Sequence, residues 1–357
     1  MTTITYERMA FSDLPGWADD EHMAAFRAFT ISARAVIAAP APPAGPSGAA
    51  AAAVAGLALA VAPAVVTPGA ARAFFETHFA PCRPRHDGPA GLLTGYYEPV
   101  IDGSLTPAPG FPVPVYRRPA DLVNAVAESA RASSPEPYTH LRQTAAGLVP
   151  YANREEIERG ALAGLGLELC YLADPVETFF LHIQGSGAIR LADGQPQRIT
   201  YDGKNGYPYT SIGRTLIEDG TFSAEALTLQ VLGDWLRAGQ ERGRAVMWRN
   251  RSFVFFRLLD ASGPIGVMGT PLHPGRSMAV DAAFNMLGMP VYVSSPSMTH
   301  VTPQGFNRLM IAHDVGSAIK GPERGDLFFG TGPDALALAG ITKHQGSFYV
   351  LEPVAAP

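Results

Sequence analysis

The sequence predicts a mainly β protein with helices appended to a β-rich body. From Gly91 onward, short apolar runs follow one another between Gly and Pro residues, a pattern typical of strands joined by turns. Before that point, apolar residues recur at helical spacing instead. The regular alternation of strands and helices that would predict a doubly wound sheet is missing.

Length and charge limit the organisation of the chain and its partners. The chain has 357 residues, 47% of them hydrophobic, and is longer than a chain that folds around a single hydrophobic core usually is. We therefore expect two domains. The formal net charge is −5, and the charges are spread without acidic or basic blocks. This distribution gives no electrostatic basis for binding nucleic acid, so we expect no such partner.

The N-terminal part of the chain is predicted to be helical. The first helix has four large apolar residues at near-helical spacing: Met23, Phe26, Phe29 and Val36. The alanine-rich stretch from Gly48 to Val66 approaches the ~20 residues of a membrane span, but it is mostly alanine and contains Pro63. We therefore expect a soluble helix there, and residues 69–79 show the pattern of another packed helix.

The N-terminus and the cysteines carry few signals. The first residues lack the basic start and apolar core of a signal peptide, and Cys82 lies too deep in the chain to be a lipid-anchor cysteine. We expect Cys82 and Cys170 to be buried thiols, with a disulfide between them as the alternative. Because the cysteines and the nine histidines form no Cys-x-x-Cys or His-x-x-x-His unit, we expect no metal site and no cofactor.

The β-rich body begins with residues 91–104. Seven further runs have the composition and the boundaries of strands: 178–191, 197–203, 252–259, 264–269, 291–295, 308–313 and 347–352. Two helices interrupt them, and the first begins at Asn153, which can form a capping box with Glu156. The second helix, 223–239, has an apolar face of four residues: Leu227, Val231, Leu232 and Trp235.

Carboxylates are the candidate catalysts. The sequence contains no Gly-x-Ser-x-Gly elbow, P-loop, His-Glu-x-x-His motif or dinucleotide fingerprint. The glycine-rich residues 185–189 predict only a turn between strands. The remaining candidates are two aspartates, Asp314 and Asp326, on either side of a basic, glycine-rich turn.

The two aspartates have contrasting sequence environments. Asp314 follows the apolar run 308–313, so we expect it at a strand end, where the backbone N–H groups of Gly316 and Ser317 keep it ionised. Asp326 precedes Leu-Phe-Phe-Gly, an apolar setting that should desolvate its carboxyl and raise its pKa. A raised pKa is what a general acid requires.

Several segments resemble one family. The stretch RLMIAHDVGSAIKGPERGDLFFGTG, preceded by SMAVDAAFNMLGMPVYVSS with Asp281, is similar to the three-aspartate module of the membrane-bound lytic transglycosylase A (MltA) family. Segments near Thr94, His182, Tyr201 and Asn250 resemble other parts of that family in the same order. The resemblance covers roughly residues 75–353.

The resemblance implies a fold and an activity. The fold would be a double-psi β-barrel catalytic domain, with a second β-barrel inserted into it and a groove between them. From the positions of the motifs, we expect residues 1–104 and 260–357 to form the catalytic domain and residues 105–259 to form the inserted, substrate-binding domain. The activity would be that of a peptidoglycan lytic exotransglycosylase, which cleaves the β-1,4 bond between N-acetylmuramic acid and N-acetylglucosamine and leaves a 1,6-anhydro end.

The resemblance also implies roles for individual residues. Asp326 matches the catalytic aspartate, while Asp314 and Asp281 match the other two aspartates of the module, which we interpret as supporting the site. One catalyst can suffice because the C6 hydroxyl of the sugar is itself the attacking group. Candidate sugar contacts are six polar or aromatic residues: Tyr96, Tyr97, Gln184, Ser186, Tyr207 and Lys320. Strand packing for the two adjacent tyrosines and a solvated turn for the lysine are the alternatives.

Location and partners follow from the implied substrate. We expect a monomer on the periplasmic side of the cell envelope, associated with the outer membrane, that binds peptidoglycan glycan strands and other cell-wall enzymes. Three other functions are kept as alternatives. An aspartic protease is suggested by Asp-Val-Gly-Ser-Ala at Asp314, but such a site needs two of these turns and the sequence has one. The others are a two-carboxylate glycoside hydrolase with Asp314 as base, and a non-catalytic wall-binding module.

Overall fold

The chain forms two compact units. The computed structural model describes residues 4–43, 47–126, 138–261 and 263–354. Unit 1 comprises Met1–Tyr97, Ile265–Gly330 and Asp334–Pro357. Unit 2 comprises Glu98–Pro264 and Thr331–Pro333.

Strands outnumber helices in the described chain. The helices are α1 His22–Ala38, α2 Gly48–Val61, α3 Pro68–His78, α4 Arg154–Glu156, α5 Pro175–Gln184, α6 Ile212–Glu218, α7 Leu229–Ala238, α8 Gln240–Trp248 and α9 Pro333–Ala339. The strands are β1 Thr5–Arg8, β2 Phe79–Arg85, β3 Leu92–Glu98, β4 Val100–Ser104, β5 Val113–Tyr116, β6 Leu122–Asn124, β7 His140–Thr144, β8 Gly147–Val149, β9 Glu168–Leu172, β10 Ser186–Arg190, β11 Pro196–Lys204, β12 Val254–Leu259, β13 Ser277–Val280, β14 Pro290–Ser295, β15 Phe306–Val315, β16 Arg324–Thr331, β17 Lys343–Gln345 and β18 Ser347–Pro353. The predicted mainly β class with appended helices is confirmed.

A nine-stranded sheet forms the body of unit 1. Its order is β1, β2, β18, β14, β15, β13, β16, β3 and β17. Strand β13 lies between β15, to which it is parallel, and β16, to which it is antiparallel. Strand β17 is an edge strand and pairs with β3.

The central strands of this sheet are covered on both faces. In β15, Met310 and Ala312 belong to one hydrophobic cluster, while Leu309 and Ile311 belong to another that includes the N-terminal helices. Because both faces are buried, the strand reads as a continuous apolar run rather than as an alternating one. This is why residues 308–313 could be identified as a strand from their sequence.

Small residues allow the N-terminal helices to pack closely. The predicted helices at 22–37 and 69–79 are confirmed as α1 and α3, and α2 occupies most of the alanine-rich stretch. Ala51, Ala55 and Ala58 of α2 are fully buried in the cluster that also contains α1 and α3. Within the described residues, no helix has both the length and the apolar character needed to cross a bilayer.

Unit 2 contains two sheets and several helices. Its six-stranded sheet has the order β12, β11, β10, β4, β9 and β5, and a separate three-stranded sheet has the order β6, β7 and β8. Helices α5, α6, α7 and α8 contribute to one apolar cluster. The unit begins at Glu98 rather than near residue 105, because β4 pairs with β9 and β10 of this unit.

The prediction of a strand at 178–191 was wrong for its first half. Residues Pro175–Gln184 form helix α5, in which Asp174 caps the N-terminus by accepting a hydrogen bond from the Val176 N–H and Pro175 stands in the first turn. Gly185 ends the helix in the left-handed conformation. The glycine-rich segment 185–189 is therefore a helix cap followed by β10 and not a turn between strands.

Three smaller predictions also need correction. Helix α7 begins only at Leu229, because Thr228 caps it, and Val231 is 39% exposed rather than part of the buried face. Residues 264–269 form no strand, and only an isolated bridge joins Ile265 to Pro271. Both cysteines are free thiols as expected, but only the second is buried, since the first is partly exposed.

A buried ion pair joins the N-terminal segment to the sheet. Both terminal nitrogens of Arg276 donate to the Asp20 carboxylate, at 3.0 and 2.8 Å, and the Leu309 N–H donates to the same carboxylate at 2.7 Å. The two charged side chains are 6% and 2% exposed. Such a pair is costly to break, since either partner alone would be a buried, uncompensated charge.

We expect Arg276→Met to lower the free energy of unfolding by about 3–5 kcal/mol, because it leaves the Asp20 carboxylate buried without its partner. Urea denaturation followed by far-UV circular dichroism measures this loss. Glu21 is the matched control, because its carboxylate is 86% exposed and lies 3.9 Å from Arg276. Glu21→Gln should change the free energy of unfolding by less than about 0.5 kcal/mol. Equal losses from the two substitutions would contradict the prediction.

Candidate active site

Two aspartates lie on one face of the unit 1 sheet, on either side of β13. Ala279 of β13 is the register partner of Asp314 in β15 and also of Asp326 in β16. Residues paired across strands point to the same face, so both carboxyls lie on the face of Ala279. One intervening strand places their Cα atoms about 10 Å apart.

Asp326 is held by a relay of hydrogen bonds. The Thr94 hydroxyl donates to Asp326 Oδ1, and Arg324 Nη2 donates to the Thr94 hydroxyl oxygen at 2.9 Å. Burial raises the pKa of Asp326, against the opposing effects of the Thr94 hydrogen bond and the Arg324 charge. The raised pKa expected for this residue is confirmed, and Asp326 as a whole residue is partly exposed to solvent.

Asp314 has a different set of partners. Its Oδ1 accepts hydrogen bonds from the backbone N–H groups of Val267 at 3.1 Å and Val315 at 2.9 Å. Its Oδ2 accepts one from the Tyr96 hydroxyl at 3.3 Å. Burial raises the pKa of Asp314 to about 6, and these hydrogen bonds only partly oppose that effect.

Two expectations for Asp314 were therefore wrong. The donors are not Gly316 and Ser317, because β15 continues through Val315 and these two residues lie in the turn beyond it. The hydrogen bonds also do not hold the pKa of Asp314 low, because desolvation outweighs them and raises the pKa. The two aspartates share a raised pKa instead of having opposed environments.

Tyr96 interacts with both carboxyls. Its ring packs against Phe328 with centroids 5.2 Å apart, and burial and the charges of Asp314 and Asp326 keep its pKa well above the ordinary value. Tyr97 follows it in β3, so its side chain points to the opposite face of the strand. The structure therefore brings only the first of the two predicted tyrosines to the aspartates.

Asp281 supports the turn between the two acid-bearing strands. Its buried carboxylate accepts hydrogen bonds from the N–H groups of Ala283 at 3.2 Å and Gly321 at 2.9 Å. Gly321 has a φ of 115°, which other residues rarely adopt. Lys320 Nζ lies 3.8 Å from the same carboxylate. Asp281 thus fixes the loop from β15 to β16. Among the described contacts, it makes no hydrogen bond to Asp314 or Asp326.

The remaining predicted sugar contacts lie in unit 2. Gln184 is the last residue of α5, and Ser186 is the first residue of β10. Tyr207 is almost fully buried, and its ring packs on Tyr138 at 5.0 Å and beneath the Arg251 guanidinium at 4.3 Å. The rings of Tyr138 and Tyr207 and the guanidinium of Arg251 line a pocket of about 230 Å³.

The histidine beside Asp314 does not form a catalytic pair with it. His313 is fully buried and its Nδ1 lies 2.7 Å from the Ser277 hydroxyl. Burial and the neighbouring His273 lower the pKa of His313 to about 3, so the imidazole is neutral at ordinary pH. It therefore supplies neither a cation to stabilise the carboxylate nor an accessible base.

Sequence reasoning missed two residues of this site, Thr94 and Arg324. Each lies two positions from a predicted site residue in the same strand, Thr94 before Tyr96 and Arg324 before Asp326. Side chains two apart in a strand share a face, so this periodicity was the signal that could have identified them. In the described part of the chain, no three His, Cys, Asp or Glu side chains cluster to hold a metal ion.

Two family models match separate parts of the sequence. Residues 92–257 match the MltA specific insert domain, and residues 276–352 match the 3D domain. The second match confirms the double-psi β-barrel predicted for the part that carries the aspartates. The three-aspartate module lies within these residues.

Known proteins resemble the chain in sequence and in structure. Membrane-bound lytic murein transglycosylase A of Vibrio cholerae is 34% identical over 265 residues, which are 73% of this chain and 65% of that protein. The match thus spans less than two thirds of that relative. The crystal structure of a membrane-bound lytic murein transglycosylase from Agrobacterium tumefaciens has a TM-score of 0.88 and 34% identity, and the match covers 98% of both chains. Escherichia coli MltA, solved with bound chitohexaose, has a TM-score of 0.67 and 26% identity, with 92% of this chain and 90% of that one covered.

The motif order, the three aspartates and these matches lead to one conclusion. The sequence matches models of the MltA specific insert domain and the 3D domain, and the structure matches a relative over nearly its entire length. The protein belongs to the membrane-bound lytic transglycosylase A (MltA) family.

Proposed function

We propose that this protein is a lytic transglycosylase that acts on peptidoglycan. It would cleave the β-1,4 bond between N-acetylmuramic acid and N-acetylglucosamine and leave a 1,6-anhydro end, in exo mode. The observation that carries the proposal is Asp326, whose carboxyl has a pKa raised by burial in a residue that is partly exposed. The names of the relatives, lytic murein transglycosylases, support the same activity.

The first step needs an acid at the leaving group. With its raised pKa, Asp326 is protonated over a wider pH range than an ordinary aspartate, and it donates this proton to the glycosidic oxygen. The bond between C1 of the muramic acid and that oxygen then breaks. The departing sugar carries the proton away, and C1 acquires oxocarbenium character.

The second step needs a base at the same place. The Asp326 carboxylate formed in the first step takes the proton from O6 of the muramic acid as O6 attacks C1. The new O6–C1 bond closes the 1,6-anhydro ring, and Asp326 regains its proton. No water has to be bound and activated, because the nucleophile belongs to the substrate and has a high effective concentration.

Asp314 and Tyr96 are proposed to orient this reaction. The three hydrogen bonds that Asp314 accepts, from Tyr96, Val267 and Val315, occupy lone pairs on both of its oxygens, which limits its capacity to activate a water molecule. Its hydrogen bond instead fixes the Tyr96 hydroxyl beside the reacting carboxyl, where the ring can contact a sugar. This arrangement favours transglycosylation over a two-carboxylate hydrolysis, in which Asp314 would have to act as the base on a water molecule.

Contacts to the glycan beyond unit 1 stay a prediction. Gln184, Ser186 and Tyr207 are proposed to contact the glycan substrate. The chitohexaose bound to E. coli MltA supports glycan binding by this family. We also propose a location in the cell envelope, which rests on the substrate and on the relatives' name, with other cell-wall enzymes as partners.

We expect Asp326→Asn to fold and bind glycan but to lose turnover by about 10²–10⁴-fold, because an amide cannot donate and recover the proton. The assay is mass spectrometry of muropeptides released from purified peptidoglycan sacculi, in which anhydro ends indicate transglycosylation and reducing ends indicate hydrolysis. Asp314→Asn is the matched control and should be less damaging. Activity of Asp326→Asn within a fewfold of wild type would remove this residue from the mechanism, and the reverse order of the two variants would exchange their roles.

Chelation should leave the activity intact, because neither the sequence motifs nor the described side-chain clusters provide a ligand set for a metal. The measurement compares anhydro-muropeptide release before and after dialysis against EDTA. Loss of activity that zinc or magnesium restores would contradict this expectation.

The raised pKa of Asp314 should also appear in the stability of the protein. The folded state binds this proton more tightly, with a pKa of about 6 against about 4 in an unfolded chain. The stability contributed by the group is present below about pH 4 and is lost as the pH rises through about 6. Asp314→Asn stays neutral, so its Tm relative to wild type should rise between about pH 4.5 and pH 7.5. A difference that does not change with pH would show that the carboxyl is not perturbed.

A further inference from the structure

Lys343 lies on the same face as the catalytic carboxyl. It is the first residue of the edge strand β17, and its register partner in β3 is Thr94. The Thr94 side chain bonds Asp326, so the face of Thr94 is the face of the site. Cross-strand partners share a face, and the exposed Lys343 side chain therefore points to the side of the sheet that carries Asp326.

The backbone around this lysine is firmly held. His300 Nε2 lies 2.8 Å from the hydroxyl of Thr342, the residue before it. His344, the residue after it, stacks on His300 with centroids 5.2 Å apart, and its Nδ1 lies 3.1 Å from the Ser297 hydroxyl. The backbone at Lys343 is thus held in place, and only its side chain is flexible. This lowers the entropic cost of binding an anion.

Other cations near the aspartates are already engaged. Arg324 donates to the carbonyl oxygens of Leu92 and Gly325 and to Thr94. Lys320 lies beside the Asp281 carboxylate. Among the described residues, the Lys343 ammonium has no hydrogen bond or ion pair, so its charge is available to a ligand.

We propose that Lys343 binds a carboxylate of the peptide stem and so makes the enzyme prefer stem-bearing glycan. This inference rests on the proposed function. Two strand spacings separate the Cα atoms of Lys343 and Asp326, about 10 Å. The stem is attached to the lactyl group of the muramic acid whose glycosidic bond is cleaved. The acidic residues of the stem carry free carboxylates, which the long side chain of Lys343 can reach at that distance. The lactyl group of the muramic acid is the other source of a carboxylate, but the stem converts it to an amide.

The test compares two soluble substrates and one neutral ligand. The substrates are glycan strands with their stems, and the same strands after an amidase has removed the stems and freed the lactyl carboxylates. The neutral ligand is chitohexaose, whose Kd is measured by competition. The variants are Lys343→Gln, which removes the charge, and Lys343→Arg, which keeps it. Arg34→Gln, at an exposed position of α1, controls for the loss of one positive charge.

We expect Lys343→Gln to lower kcat/KM about three- to fivefold on stem-bearing strands, as for an exposed ion pair, and added salt should shrink this difference. Lys343→Arg should retain most of the wild-type value, and Arg34→Gln should equal wild type on every substrate. The stem-free strands and the Kd for chitohexaose should not change with Lys343→Gln.

The other outcomes would overturn the inference. A loss confined to the stem-free strands would assign the lysine to the lactyl carboxylate. An equal loss on both substrates, with a shifted pH profile, would mean that its charge acts on Asp326. No loss on either substrate would leave Lys343 without a role in binding. If the wild-type enzyme itself releases no anhydro products, the proposed function fails, which is a separate result from the behaviour of Lys343.

Discussion

The pairing of β13 with two strands at once is the constraint on which the candidate site depends. Met278 and Val280, on either side of Ala279, are fully buried in the apolar core of the sheet. A slip of one residue would expose these side chains and turn an aspartate into the core, so hydrophobic packing fixes the register. The same register places Asp314 and Asp326 on one face. The positions of the two carboxyls are thus determined by core residues that take no part in the reaction.

The position of Thr94 explains how a partly buried arginine can lie close to a general acid. A direct ion pair with Arg324 would favour the carboxylate and hold the pKa of Asp326 low. The Thr94 hydroxyl accepts a hydrogen bond from the arginine and donates its own to the carboxyl, so the arginine acts through it. Burial then remains the stronger effect, and the pKa is raised. Asp326 is oriented by a cation without losing its capacity to donate a proton.

The sequence predicts those features that depend on local pattern. Buried strands such as β15 are visible as apolar runs, and the two aspartates are visible as charges at the end of one run and at the start of another. The helix α5 was missed because its residues are β-branched or aromatic in part, while the cap at Asp174 and the proline after it decide the conformation. The donors to Asp314 could not be predicted, because Val267 approaches from a segment distant in sequence. The same holds for Lys343, whose relation to Asp326 depends on the pairing of the edge strand β17 with β3.

An edge strand has a second reason to carry a lysine, and the two reasons can be separated. A charge at an edge prevents pairing with another chain, and this protection works whichever face of the sheet the side chain occupies. Recognition of a substrate requires the face of the site. In β17, Lys343 shares the register of Thr94, whereas His344 pairs with Leu93, which is fully buried in the core. The cation therefore occupies the one face from which it can reach a ligand at Asp326, and protection of the edge alone would not demand that position.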